Sequence, residues 1–115
     1  MTKARALFAC ALACGLMIVG PTAAISQESR SPQAIAKVRI VNFAFKPATI
    51  TVPKGTIVGW KNFGSAAHTS TSDDGRWDSG TLQTGDVFRV GFRFAGTYAY
   101  HCEIHSSMHG SVVVT

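Results

Sequence analysis

The chain has 115 residues, room for one domain, and carries eleven Lys or Arg against six Asp or Glu, a formal net charge of +5. The positive charge comes in no run, unlike the clustered Lys and Arg of nucleic-acid binders, so no nucleic-acid partner is expected. An acidic docking partner is the expectation that the charge supports.

Lys3 and Arg5 form a short basic head before an apolar stretch from Ala6 to Val19, which Gly20 and Pro21 break. Small residues follow at Ala24 and Ser26. This pattern predicts a secretory signal peptide over residues 1–26, cleaved after Ser26 or, alternatively, Ala24. The apolar core is too short for a comfortable membrane span. The reading implies an exported, periplasmic protein without stable membrane insertion, expected to be a monomer. Cys10 and Cys14 lie inside this segment. A lipidated Cys14 is disfavoured, because Ala11-Leu12-Ala13 precedes it rather than Leu followed by two small residues. Residues 27–115 then hold a single cysteine, Cys102. One thiol cannot form an internal disulfide. A bound metal is the economical mask for it, since coordination removes the proton and occupies the sulfur.

Residues 27–36, polar and containing Pro32, read as a flexible leader, and residues 37–115 as the folded domain. From Lys37 onward the apolar residues follow strand periodicity, and no stretch sustains a helical period. Val38 and Ile40 alternate with Lys37 and Arg39, whereas Phe43 and Phe45 fall on the opposite parity. That switch predicts a bulge or bend near Val41-Asn42. Ile50 and Val52 alternate with Thr49 and Thr51, then Pro53-Lys54-Gly55 turns the chain. Val58 and Trp60 continue the alternation, and Asn62 to Ala67 is a loop. Asp73-Asp74-Gly75 is a turn signal, and Trp77 to Leu82 is expected to be irregular. Phe88, Val90, Phe92 and Phe94 should share one face of a strand, with Arg89 and Arg93 on the other. Tyr98, Tyr100 and Cys102 share a parity, and Val112 to Val114 forms a last strand. About seven to eight short strands, separated by Gly or Pro, predict an all-β protein, an antiparallel-rich β-sandwich.

The chemistry gathers near the C-terminus. Cys102, His105 and Met108 place a thiol, an imidazole and a thioether at even spacing on a loop between two strands, and His68 supplies a second imidazole. Each alone would read as a core or surface residue; together they point to a metal. These soft and borderline donors suit copper better than a hard cation, and two His, one Cys and a weak axial Met are the ligands of a blue-copper electron-transfer centre. Zinc on Cys102, His105, His68 and His109 is the competing site, but it leaves Met108 without a use. His101 has outward parity and reads as solvated, and His109 as a surface residue. A multicopper oxidase would need histidines on both sides of the cysteine; here Glu103 follows Cys102, and no His-x-His pair occurs.

Cys102-Glu-Ile-His105-Ser-Ser-Met108 resembles the C-terminal ligand loop of the small blue-copper proteins, the cupredoxins. The likeness extends to Phe45, Pro47, Ile50, Val52, Gly55, Val58, Trp60 and Asn62 in the first half, and to Gly80, Leu82, Gly85, Phe88, Gly96, Tyr98 and Tyr100 in the second. It implies a Greek-key β-sandwich with one type 1 copper ion at one end. Cys102 would be the dominant ligand, His68 and His105 equatorial ligands, and Met108 the weak axial one. The resemblance also implies single-electron shuttling between redox proteins, with the His105 ring edge as port and Ala66, Ala67 and Ile104 on its apolar rim. Thr69 is the expected tie between the His68 segment and the cysteine loop, and Asn62 a weaker one. Short-loop members carry prolines where Ile104 and Ser106 stand here, and many relatives have Pro where Ala67 precedes His68. The alternative function is a periplasmic copper carrier or scavenger, although the chain lacks the Met-rich or His-rich tract such carriers expose.

Overall fold

The computed structural model describes residues 34–115, which belong to the second of two units into which the chain divides. The expected signal peptide, Cys10, Cys14 and the leader up to residue 33 lie outside the described residues. Eight strands follow in order: β1 Ile35–Val41, β2 Ala44–Lys46, β3 Thr49–Val52, β4 Thr56–Asn62, β5 Thr71–Ser72, β6 Val87–Phe92, β7 Gly96–His101 and β8 His109–Val114. Among the described residues no helix is long and apolar enough to cross a membrane.

The strands form two four-stranded sheets, ordered β2-β1-β4-β6 and β3-β8-β7-β5. Alternation explains their faces. In β1, Val38 and Ile40 are buried while Lys37 and Arg39 are exposed, as period-2 side-chain direction requires. Phe45 of β2, Trp60 of β4, Phe92 of β6, Tyr100 of β7 and Val112 of β8 belong to the same core. Trp60, fully buried, has Tyr100, Trp77 and Phe88 around it at centroid distances of 5.3, 5.7 and 6.2 Å. Removing roughly 200 Å² of indole surface from water favours folding by about 5 kcal/mol in area bookkeeping.

Two expectations are sharpened and one is corrected. The sandwich is antiparallel-rich, as expected, with four antiparallel pairings, but both sheets are mixed: β1 pairs with β4, and β3 with β8, in parallel. The chain crosses to the second sheet after β2 and returns at β4, and strands joined by a crossover need not run antiparallel as hairpin strands must. Of the bulge or bend expected at the parity switch after Val41, the structure has the bend. Val41 pairs with Ala44, so Asn42-Phe43 is a two-residue hairpin turn. β6 stops at Phe92, and Phe94 lies beyond it, 75% exposed, where the Tyr98 hydroxyl donates to its carbonyl (2.7 Å). Residues 77–82 form no strand, as expected, yet they bridge Thr71 to Asp78 and His68 to Leu82.

Candidate metal centre

His68 opens a segment, residues 68–72, that is buried throughout. Residues 77–82 strap it down. The N–H of Leu82 donates to the His68 carbonyl (2.7 Å), and that of His68 returns to Leu82 (3.1 Å). Ser70 N–H donates to Ser79 Oγ (2.8 Å), and Trp77 Nε1–H donates to Ser70 Oγ (3.0 Å). Buried backbone is satisfied here by a second segment rather than by a regular ladder.

The His68 ring has no exposed surface, and its Nε2 stands 2.9 Å from Asn42 Oδ1. Asn42 Oδ1 also accepts from Ala66 N–H (3.2 Å), while its Nδ2 donates to Ser65 Oγ (2.9 Å), so the amide orientation is set by its neighbours. A carboxamide oxygen only accepts. Nε2 therefore carries the His68 proton, and the Nδ1 lone pair is free for a ligand, the usual division of labour for a ligating histidine. A Cβ at position 64 would overlap Asn42 Oδ1, so Gly64 leaves the space this contact occupies. Burial, reinforced by the His105 charge, holds the His68 pKa below the usual imidazole value, favouring the neutral form that binds metals.

Cys102 is a free thiol, 1% exposed, and its Sγ accepts from Thr69 N–H at 3.4 Å. Thr69 Oγ1 accepts from Glu103 N–H at 2.8 Å. Thr69 thus makes the expected tie twice, once through its backbone and once through its hydroxyl. Asn62 does not touch the site. Its carboxamide donates to the Ala66 and Leu82 carbonyls (2.9 and 2.8 Å) and accepts from Gly64 N–H (2.8 Å), shaping residues 62–67 into the turn that delivers His68.

The ligand loop closes on itself: Cys102 N–H donates to the Met108 carbonyl (3.1 Å), and Met108 N–H to the His105 carbonyl (3.0 Å). Met108 is 1% exposed, whereas Glu103, Ile104, Ser106 and Ser107 face solvent. Cys102 Sγ lies 3.9 Å from His68 Nδ1 and 3.8 Å from His105 Nδ1, and the two Nδ1 atoms are 3.1 Å apart. A point equidistant from these three atoms is about 2.1 Å from each, within the range of metal–sulfur and metal–imidazole bonds. The arrangement fits one ion. Two imidazoles and a thiol, with a buried thioether closing the same loop, fit copper better than zinc or any hard cation.

The remaining histidines part company. Among the described residues, His68, Cys102 and His105 are the one group of three or more His, Cys, Asp or Glu with donors close enough to share a metal. His109 is exposed and outside it, so the tetrahedral alternative with His109 is not assembled. His101 is not simply solvated: its Nδ1 lies 2.5 Å from Asp73 Oδ1 and its Nε2 2.8 Å from Glu103 Oε2. Those hydrogen bonds, Asp73 first, raise its pKa.

Two residues at the site were not anticipated. Besides Asn42, the hairpin turn places Phe43 edge-on to His105, with ring centroids 4.9 Å apart, and to His68 at 6.1 Å; Phe43 is 58% exposed. The parity switch marked the turn, but no local signal says what a turn will touch.

The family model of the cupredoxin-like domain matches residues 9–114, and the chain belongs to that family. It is 28% identical to amicyanin from Paracoccus denitrificans over 130 residues, 99% of each chain. It is 27% identical to amicyanin-alpha from Methylorubrum extorquens over 116 residues, 92% of this chain and 98% of that one. Among solved structures, a purple cupredoxin from Nitrosopumilus maritimus superposes with a TM-score of 0.64 at 30% identity, covering 70% of this chain and 99% of that one. An amicyanin variant in its Cu(I) form gives 0.67 at 25% identity over 76% and 88%. A copper-containing nitrite reductase from Thermus scotoductus also gives 0.67 at 25% identity, but over 75% of this chain and only 23% of the reductase.

Proposed function

We propose that this protein is a periplasmic type 1 copper protein that shuttles single electrons between redox partners, exported with loss of residues 1–26. The observation that carries the reading is the convergence of His68 Nδ1, Cys102 Sγ and His105 Nδ1 on one point. Cys102, His68 and His105 would hold the metal, Cys102 most strongly, and the buried Met108 thioether would be the weakest donor. When bound, the copper supplies a Cu(II)/Cu(I) couple.

The chain's own residues supply rigidity and a port. Asn42 fixes the ring and tautomer of His68, and Thr69 holds the sulfur and the residue after it. Donors held this way move little when charge arrives, which is what fast electron transfer requires. His105 is half-buried, and beside it Phe43 and Ile104 (47% exposed) offer a small apolar surface for a brief encounter. Burial speaks against the cargo-carrier alternative: His68, Cys102 and Met108 are each no more than 1% exposed, and an acceptor must reach ligands to take a metal from them. No catalytic step is part of the proposal; the nitrite reductase it resembles is about four times as long as the stretch matched.

Copper-loaded protein should be intensely blue to purple or green from a thiolate-to-copper band, and Cys102→Ser should abolish the colour. A colourless Cu(II) form, or an unchanged spectrum in that variant, would sink the assignment. Fast self-exchange between oxidised and reduced protein separates shuttling from cargo handling, which instead predicts metal transfer to an apo-acceptor. Mass spectrometry of exported protein tests cleavage at Ser26 against Ala24.

A further inference from the structure

The outer face of the first sheet carries an unbalanced row of cations. Lys46 of β2 lies opposite Arg39 of β1, and Arg39 is in register with Lys61 of β4. One step along, Lys37 of β1 is in register with Gly59 of β4, which pairs with Arg89 of β6. Five of the eight Lys and Arg in residues 34–115 therefore stand on one face. Adjacent strands are roughly 4.8 Å apart, and like charges directly opposite one another destabilise a sheet.

Nothing among the described residues relieves that repulsion. None of the five cations has a carboxylate within ion-pair distance, whereas Asp74 is taken by Arg76, and Asp73 and Glu103 by His101. Asp86, just before β6, accepts from Gln83 N–H instead. The five cations line an open groove of about 630 Å³ that has no acidic residue in its wall. Gly59 forms part of its floor: the Arg89 side chain lies across it, with Cγ 3.6 Å from where a Cβ would stand. At one end Phe63 (45% exposed) holds the Arg39 guanidinium 4.0 Å and the Lys61 ammonium 5.0 Å from its ring centre.

We infer that this groove docks an acidic segment on the surface of a partner protein, its carboxylates entering among Lys37, Arg39, Lys46, Lys61 and Arg89. Charge complementarity selects the partner, because a bound carboxylate removes a repulsion the fold otherwise carries. Shape argues for a projecting segment: a flat lipid headgroup layer would meet only the rim of a groove. The Phe63 ring already has Arg39 and Lys61 set against it, so it is not a vacant stacking platform for nucleic-acid bases. A second copy of this chain is a poor occupant, since three of its acids are committed to Arg76 and His101. The face lies apart from the metal donors, but Phe63 belongs to the same loop as Gly64, Ser65 and Ala66, which contact Asn42 or lie against it. A partner seated there borders the His68 side of the metal centre.

The test uses the full domain with a ten-residue poly-glutamate peptide as probe, followed by NMR shift mapping and calorimetry at low and high salt. Binding should shift the resonances of Lys37, Arg39, Lys61, Phe63 and Arg89 and weaken at least about tenfold between low and physiological salt. Lys46→Gln with Lys61→Gln, both exposed, should weaken it by about a further tenfold, while Lys54→Gln, outside the groove, should not. No binding, or binding that maps elsewhere, overturns the inference. So does binding only to phosphatidylglycerol vesicles, only to a single-stranded oligonucleotide, or only concentration-dependent self-association. Absorbance of the copper form, read on the same samples, tests the metal reading separately, because neither Gln substitution touches a donor.

Discussion

The two pieces of chain that meet at the metal centre are held in opposite ways. Residues 68–72 are buried at every position, bonded to the 77–82 strap and to Asn42, and tied internally by the Thr69–Thr71 hydroxyl pair. The Cys102–Met108 loop offers three of the four donors, yet four of its seven residues are exposed, and two backbone bonds close it on itself. One half is built before any ligand arrives, while the other leans on Thr69 and on whatever occupies the site. The difference teaches where a metal should act: on the loop, far more than on the strap.

Removing the metal should therefore give the largest effect. At a thousandfold excess over Kd, copper stabilises the native state by about 4 kcal/mol. Hydrogen exchange in the metal-free form should rise at the Cys102 and Met108 amides while the Leu82 and Ser70 amides stay protected. Equal loss in both segments would erase the distinction drawn between them.

Thr69→Val removes the hydroxyl half of the link between the two pieces, leaving Glu103 N–H without its acceptor while the Thr69 N–H to Cys102 Sγ bond stays. We expect a cost of about 1–3 kcal/mol in thermal unfolding, against less than about 0.5 kcal/mol for Ser106→Ala on the exposed loop. Asn42→Leu attacks the preformed half alone. It strips the acceptor from His68 Nε2–H and Ala66 N–H at a cost of about 1–2 kcal/mol. Nitrogen NMR of His68 should change from one tautomer to a mixture; a single retained tautomer would show that Asn42 does not fix the ring.

The smallest effect concerns pH. The folded pKa of His101 is raised by Asp73 and Glu103. The stability it contributes is fully present below the unfolded value, roughly 6.5, and lost as pH rises through the raised folded value. Both carboxylates are half-exposed or more, so the contribution should stay below about 1 kcal/mol. The stability gap between the natural protein and Asp73→Asn should narrow from pH 6 to pH 8; a gap that widens would reverse the assignment.

Much of this was legible in the linear chain, for local reasons. Alternation set Val38, Ile40 and Trp60 inward, and the spacing of Cys102, His105 and Met108 put three donors on one short loop. Parity also turned Cys102 inward, as its 1% exposure bears out. The same alternation hid the basic face. Lys37, Arg39, Lys61 and Arg89 form no run in sequence, and only strand register gathers them.

What the sequence determined by itself is what period and spacing can carry: an all-β chain, its core-facing residues, and a soft donor set suited to copper. What tertiary structure decided is what distant segments do to each other. Parallel pairing of β1 with β4, the reach of Asn42 and Phe43 from a hairpin turn to His68 and His105, and the capture of His101 by Asp73 all join residues twenty or more positions apart. Local propensity has no term for such contacts, because their partners are chosen when the two sheets pack.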